Sequence, residues 1–190
     1  MYPIIRFAKE LLKQRRAPKL GLFETHISQH ICWPWDIDIW MELNNGRTLT
    51  LFDMGRFGLF ARQGMLKAMM DQGWSGAVAG STVRYRRRIR AFDRFEMRTR
   101  IIGWDDKFTY IEQGMWRGDD CCNHLLLRTA ITDKNGLVRS NVVADRLLGG
   151  AQSPELPGWV QAWISAETTR PWPPDLSVTN ASLQPPSVAA

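Results

Sequence analysis

Residues 47–70 read RTLTLFDMGRFGLFARQGMLKAMM, and a little further on residues 82–90 read TVRYRRRIR. The change of period between these two stretches decides the fold. In the first, apolar residues recur at Leu49, Phe52, Leu59 and Phe60, and also at Leu51, Met54, Met65 and Met69. Together they surround most of a helix's circumference, and a helix that is apolar all round is a buried one. Gly55, Gly58 and Gly64 each cost about 1 kcal/mol of helix propensity. Close approach of a sheet to the helix backbone is a physical reason to keep them. In the second stretch the period is two: Val83, Tyr85 and Ile89 alternate with Arg84, Arg86, Arg88 and Arg90, which is the signature of a strand.

Downstream, Phe95, Met97, Thr99 and Ile101 alternate with Glu96, Arg98 and Arg100, after a hairpin turn at Phe92-Asp93-Arg94. Residues 108–117 and 122–132 supply two more strands, split by Gly118-Asp119-Asp120. Asp133-Lys134-Asn135-Gly136 is a turn signal, and residues 137–143 read as a last strand. Upstream, residues 23–33 carry His26, Ile27, His30 and Ile31 in a mixed pattern that reads as a strand. One long helix, from about Gly46 to Met70, is thus followed by an antiparallel meander of five or six strands. Segregated helix and strands mark an α+β fold.

Residues 1–17 form an amphipathic helix, with Ile4, Ile5, Ala8, Leu11 and Leu12 on one face and Lys9, Glu10 and Lys13 on the other, stopped by Pro18. Either it is an arm that packs on its own domain or a dimer mate, or it lies on a membrane surface. An apolar face of only about three turns favours the first. Seven of the ten prolines follow residue 153; residues 159–164 make one helical turn or two, and the chain from about Thr168 is Pro/Ser/Thr/Ala-rich. Such a composition has little to bury and reads as disordered. The organisation is an arm over 1–21, a domain over 22–148 and a C-terminal extension over 149–190.

A chain of 190 residues with 44% hydrophobic content has material for one real core. No apolar run approaches the ~20 residues of a membrane span, and the first residues lack a signal-peptide pattern, so the expected location is the cytoplasm. Cys32, Cys121 and Cys122 show no C-x-x-C spacing and agree with a reducing compartment. The net charge of +6 has an address, since eight arginines fall between Arg84 and Arg100. Such a cluster suits phosphates on a cofactor, a nucleic acid or a lipid surface. His26, His30 and His124 are too scattered for a metal motif. No Rossmann or P-loop glycine pattern is present, and no cofactor is expected. Nine tryptophans suggest packing before nucleic-acid stacking, so no nucleic-acid partner is expected.

The densest polar constellation is residues 36–46, DIDIWMELNNG, where a loop enters the buried helix. Asn44 or Asn45 is a good N-cap. The first N–H groups beyond it have no intrahelical partner and can hold an anion or a polarised carbonyl. A carboxylate beside such a helix end is what acyl transfer requires, as nucleophile or general base, while the N–H groups stabilise the oxyanion. On local sequence alone, Asp36, Asp38 and the asparagines also suit ordinary turn caps.

This segment resembles the hot-dog thioesterases of the 4-hydroxybenzoyl-CoA type, including their acyl-CoA thioesterase-like branch. Their entry motif runs D-x-D-x-x-x-H-x-N-N, then an acidic residue eight positions later and Arg three after that. Asp36 and Asp38 match the aspartates, Asn44 and Asn45 the asparagine pair, and Phe52, Asp53 and Arg56 the F-[DE]-x-x-R signature. Tyr85 falls in the strand after the helix and Asp93 at the family's Gly-Asp turn. The likeness spans residues 22–145. It departs at Glu42, where the family has histidine, and at Thr48, where an aromatic is common. The resemblance implies a hot-dog fold and a homodimer or dimer of dimers that pairs through sheet edges. It assigns the catalytic carboxylate to Asp38, with Asp53 on the helix and Glu42 as the other candidates. Asp53 also suits a plain ion pair with Arg56 at i,i+3.

The leading expectation is an acyl-CoA thioesterase. The thioester carbonyl would meet the helix entry at Asn44, Asn45, Gly46 and Arg47, and Arg86 and Arg88 either meet the phosphates of the acyl-CoA or belong to a solvated sheet face laced with salt bridges. A non-catalytic protein that binds an acyl thioester is the alternative, made plausible by Glu42. A third reading takes Arg84, Arg86, Arg88, Arg90, Arg98 and Arg100 as one cationic face for RNA or lipid.

Overall fold

A computed structural model describes residues 3–14 and 16–174. The chain divides into two compact units, 1–155 and 156 onward. In the first unit α1 (Ile4–Gln14) leads to β1 (His26–Ile31), a 3-10 turn (Pro34–Asp36), α2 (Asn45–Arg62) and α3 (Met65–Asp71). Then come β2 (Ser75–Tyr85), β3 (Arg94–Trp104), β4 (Thr109–Arg117), β5 (Asp120–Asp133), β6 (Gly136–Val138) and α4 (Ser140–Leu147). The strands form one antiparallel sheet in the order β1-β3-β4-β5-β2, with β6 on β5. This is the α+β hot-dog architecture: a long helix held in a curled sheet.

The helix is buried because it has no polar face. Leu51, Phe52 and Leu59 are fully shielded and meet Met97 and Ile101 of β3, Ile111 and Met115 of β4, and Leu125 of β5. Each such side chain contributes roughly 1.5–3 kcal/mol on leaving water. Two glycines let helix and sheet approach. A Cβ on Gly55 would lie 2.5 Å from the Met97 sulfur, and one on Gly58 would lie 2.5 Å from Nε2 of His26. Register shifts at Val78/Gly80, Ile101/Gly103 and Met115/Trp116 raise the local twist and curl the sheet around α2.

Several expectations need correction. The helix is not continuous to Met70. It ends at Arg62, and α3 restarts after Gly64, whose φ of 74° is left-handed; glycine tolerates that conformation and helices commonly end on it. The arginine-rich strand ends at Tyr85. Arg86 and Arg87 bend away and donate their backbone N–H groups to Cys122 O. The stretch 137–143 is not a strand: β6 stops at Val138 and α4 begins at Ser140. Val142 and Val143 suggested β by their branching, but helix lets Val143 and Ala144 share one buried side. In α1 the buried residues are Glu10 and Gln14, while Ile4, Ile5 and Leu12 are exposed. Its rotation is set by Arg6, which bonds Asp36 and Ile31 O, and by the edge-on contact of Phe7 with Phe57.

In the second unit, α5 (Gly158–Thr169) is 12 residues long, longer than the one or two turns expected. The disorder expected after about residue 168 falls largely on 175–190, outside the described residues; the helix itself runs to Thr169. Among the described residues no helix is long and apolar enough to cross a membrane.

Candidate active site

The loop into α2 is pinned from below. Asp36 is buried; its Oδ2 accepts from Arg6 Nη1 at 2.9 Å and from the Trp33 N–H at 3.0 Å. Arg47 Nε lies 3.2 Å from the other oxygen as an ion-pair contact, without hydrogen-bond alignment. A desolvated carboxylate between two cations is costly to break, so Asp36 fixes where the chain enters the helix. Beyond it, Ile37 bridges Leu43 and closes a short hairpin. Asp38 stands at its turn: its Oδ1 accepts from the Trp40 N–H at 2.8 Å, and its backbone pairs with Glu42 O and the Met41 N–H. Ile39, Trp40 and Met41 at the tip are exposed.

Asn44 is the N-cap, accepting the Arg47 N–H at 3.1 Å, while the Thr48 N–H returns to Asn44 O. The Asn45 and Gly46 N–H groups have no acceptor among the described residues. Two unpaired donors at the positive end of an 18-residue helix form a fit for an oxyanion or phosphate.

Two hollows flank this helix end. One, of about 200 Å³, brings Glu42 and Asn45 together with Tyr85, Arg86, Arg88 and Asn123. Glu42 faces Arg88 Nε at 2.9 Å, and burial raises the Tyr85 phenol above its ordinary pKa. The other, of about 370 Å³, collects Asp36, Asn44, Gly46 and Arg47. The expected substrate-binding residues therefore divide between two adjoining hollows. Asp38 lines neither.

The arginines do not share one face. Arg86 and Arg88 stand at the helix end, whereas Arg98 and Arg100 lie on β3, bonded to Glu96 and Glu112. Arg100 and His124 together hold the Glu112 carboxyl down at about 2, with the His124 hydrogen bond the largest cause.

Asp53 is elsewhere. It pairs with Arg56, as the i,i+3 spacing allows, and its side chain stays 30% exposed. Arg56 also donates to Gln113 Oε1 at 2.7 Å, while Gln113 Nε2 donates to Phe52 O at 2.9 Å and to Thr99 Oγ1 at 3.0 Å. This buried network on the sheet holds the Asp53–Arg56 pair in place. Sequence reading missed Gln113 and Thr99, because an apolar alternation with one polar member carries no sign of what that member meets. Asp53 borders a cleft of about 180 Å³ whose other walls are mostly apolar, among them Phe60, Met69, Val78, Trp104 and Leu148. A roomier polar hollow of about 560 Å³, by Asp105, Arg139 and Asp145, contains none of the expected site residues.

No group of three or more His, Cys, Asp or Glu is disposed to hold a metal among the described residues. His26 and His30 are buried, their pKa values pushed down to about 4 and about 3, first by burial and then by nearby Arg62 and Arg6 respectively. They are neutral packing groups behind α2.

The sequence model of the thioesterase-like superfamily matches residues 32–164. Protein THEM6 of Xenopus laevis is 37% identical over 162 residues, covering 84% of this chain and 77% of that protein. Protein THEM6 of Drosophila melanogaster is 30% identical over 163 residues, covering 84% and 80%. Among solved structures, the DHNA-CoA thioesterase of Staphylococcus aureus superposes with a TM-score of 0.57 at 14% identity, covering 76% of this chain and 91% of that one. At that identity the likeness is one of fold.

Proposed function

This chain belongs to the thioesterase-like superfamily, and from that membership we propose that it hydrolyses an acyl-CoA to the free acid and CoA, with Asp53 as the reacting carboxylate. The carrying observation is that Asp53, part exposed and pinned by Arg56, opens on a mostly apolar cleft. Asp38 instead caps a turn, and Glu42 is tied to Arg88. In the proposed step Asp53 takes a proton from water as the water oxygen attacks the thioester carbonyl. The oxyanion is stabilised by helix N–H groups, the C–S bond breaks, and the leaving thiolate takes the proton back from Asp53, which restores the carboxylate.

Asn45 and Asp53 lie eight residues apart, about 12 Å along the axis at ~1.5 Å per residue. One carbonyl therefore cannot meet both in one protomer. A homodimer that sets two helices antiparallel would bring the helix end of one copy beside Asp53 of the other. The 11-residue edge strand β2 supports such pairing, because an open edge invites a second strand. Arg86 and Arg88 beside the helix end suit CoA phosphates. Three free cysteines fit a cytoplasmic setting.

The second reading, a non-catalytic binder of acyl thioesters, is favoured by the Glu42–Arg88 pair where the family has histidine. Thiol release from a panel of acyl-CoAs by wild type, Asp53→Asn, Glu42→Gln and Asp38→Asn separates the readings. Loss confined to Asp53→Asn supports the assignment. Loss confined to Asp38→Asn moves the carboxylate to the hairpin, and an inactive wild type that still binds acyl-CoA leaves the binder.

A further inference from the structure

The cleft beside Asp53 has a finite size, about 180 Å³. We infer that it is a size-limited acyl subsite, which accepts compact apolar acyl groups of about six to eight carbons and turns away long chains. The inference rests on the thioester-hydrolase reading and adds the class of acyl group to it.

The cleft measures about 180 Å³. An apolar cavity of roughly 150 Å³ stays dry and takes up one benzene ring, so this one suits a hexanoyl to octanoyl chain or a single aryl ring. Its polarity matches: apart from the Asp53–Arg56 pair and two threonines, the lining is apolar or glycine. A hydroxylated or dicarboxylic acyl group would bury a polar atom there with little to bond it, which is costly. Trp104 of β3 and Leu148 just past α4 line the cleft alongside Ile101 and Val143. These belong to packed elements: Ile101 and Val143 are buried, and such packing does not swell to admit extra methylenes without strain.

The β2 side can be altered. A Cβ on Gly76 would meet only the end of Met69, at 3.6 Å from its Cε. Gly76→Leu therefore adds an isobutyl group beside the cleft with little backbone conflict, and Met69→Ala removes bulk from the neighbouring lining. Neither residue is a reacting group; Gly76 lies on β2, the proposed pairing edge, so the oligomeric state of each variant is checked by sedimentation beside its activity.

The test measures thiol release from butanoyl-, hexanoyl-, octanoyl-, dodecanoyl- and hexadecanoyl-CoA, with benzoyl- and phenylacetyl-CoA to separate ring from chain. Wild type, Gly76→Leu and Met69→Ala are compared. In parallel, calorimetry follows binding of free octanoate and dodecanoate, which needs no turnover. Each methylene that enters the cleft should raise kcat/KM about fourfold, with the rise ending near eight carbons. Gly76→Leu should move the optimum to shorter chains and Met69→Ala to longer ones. If no acyl-CoA is cleaved yet octanoate binds wild type and not Gly76→Leu, the subsite stands and the hydrolase reading falls. Hexadecanoyl-CoA turned over as well as hexanoyl-CoA, or a chain-length profile that neither substitution moves, overturns the size limit.

Discussion

Gly55→Ala asks whether the helix is as close to the sheet as the structure places it. By helix propensity alone the change should stabilise the protein by about 1 kcal/mol. In place, the added Cβ would lie 2.5 Å from Met97 Sδ, 2.6 Å from Thr99 Oγ1 and 3.1 Å from Gln113 Nε2. Met97 can swing its sulfur aside, but Thr99 is short, fully buried and branched at Cβ. Overpacking of this kind costs about 1–3 kcal/mol. Displacing Thr99 also weakens the 3.0 Å bond from Gln113, worth about 1 kcal/mol. After the propensity gain the net loss is about 1–3 kcal/mol, by those same magnitudes. For a domain of this size that lowers Tm by about 2–12 °C. Thermal unfolding followed by circular dichroism, with a urea titration for ΔG, reads it directly. Gly58→Ala, whose Cβ would strike the His26 ring at 2.5 Å, should behave alike. A Tm that rises in either variant would show that α2 does not touch the sheet there.

Asp36→Asn should destabilise by about 3–5 kcal/mol, because it removes the buried charge that Arg6 and Arg47 face; a melting curve unchanged within a degree would remove Asp36 as the anchor of the helix entry. Acid should act through His26 and His30. Their folded pKa values of about 4 and about 3 lie below the ordinary 6.5, so the unfolded chain binds more protons between those limits and stability falls as pH drops from about 6.5 toward 3. Urea midpoints across that range test this, and a flat profile would mean that the two rings are not buried neutral. Glu112, held at about 2 by His124 and Arg100, adds a further loss as pH falls from about 4.5 toward 2, and Glu112→Gln should flatten that last part of the profile.

The helix-then-meander order was legible because period is a local property. Phe52 and Leu59, or Met97 and Ile101, declare a buried helix or a half-buried strand whatever lies around them. Boundaries were harder. Gly64 read as a propensity cost, and only its left-handed φ shows that it ends one helix and opens another. Val142 and Val143 carried β-branched side chains into α4, where burial of Val143 and Ala144 outweighs propensity while Val142 stays exposed. The entry motif located Asp36, Asp38, Glu42 and the asparagine pair, but not their duties. Arg6 reaches Asp36 from 30 residues away and Gln113 reaches Arg56 from 57, and no local pattern encodes such contacts. The arginines between Arg84 and Arg100 looked like one face because strand alternation was extended past Tyr85, where the chain leaves the sheet.

The most direct test of the central claim is free-thiol release from hexanoyl-CoA, by wild type and Asp53→Asn side by side. Loss of a positioned base commonly costs about 100-fold or more. The prediction is measurable turnover by wild type and a fall of that order in Asp53→Asn, with folding and octanoate binding retained. Equal turnover by the two proteins, or no thiol release by wild type from any member of the acyl-CoA panel, would contradict it.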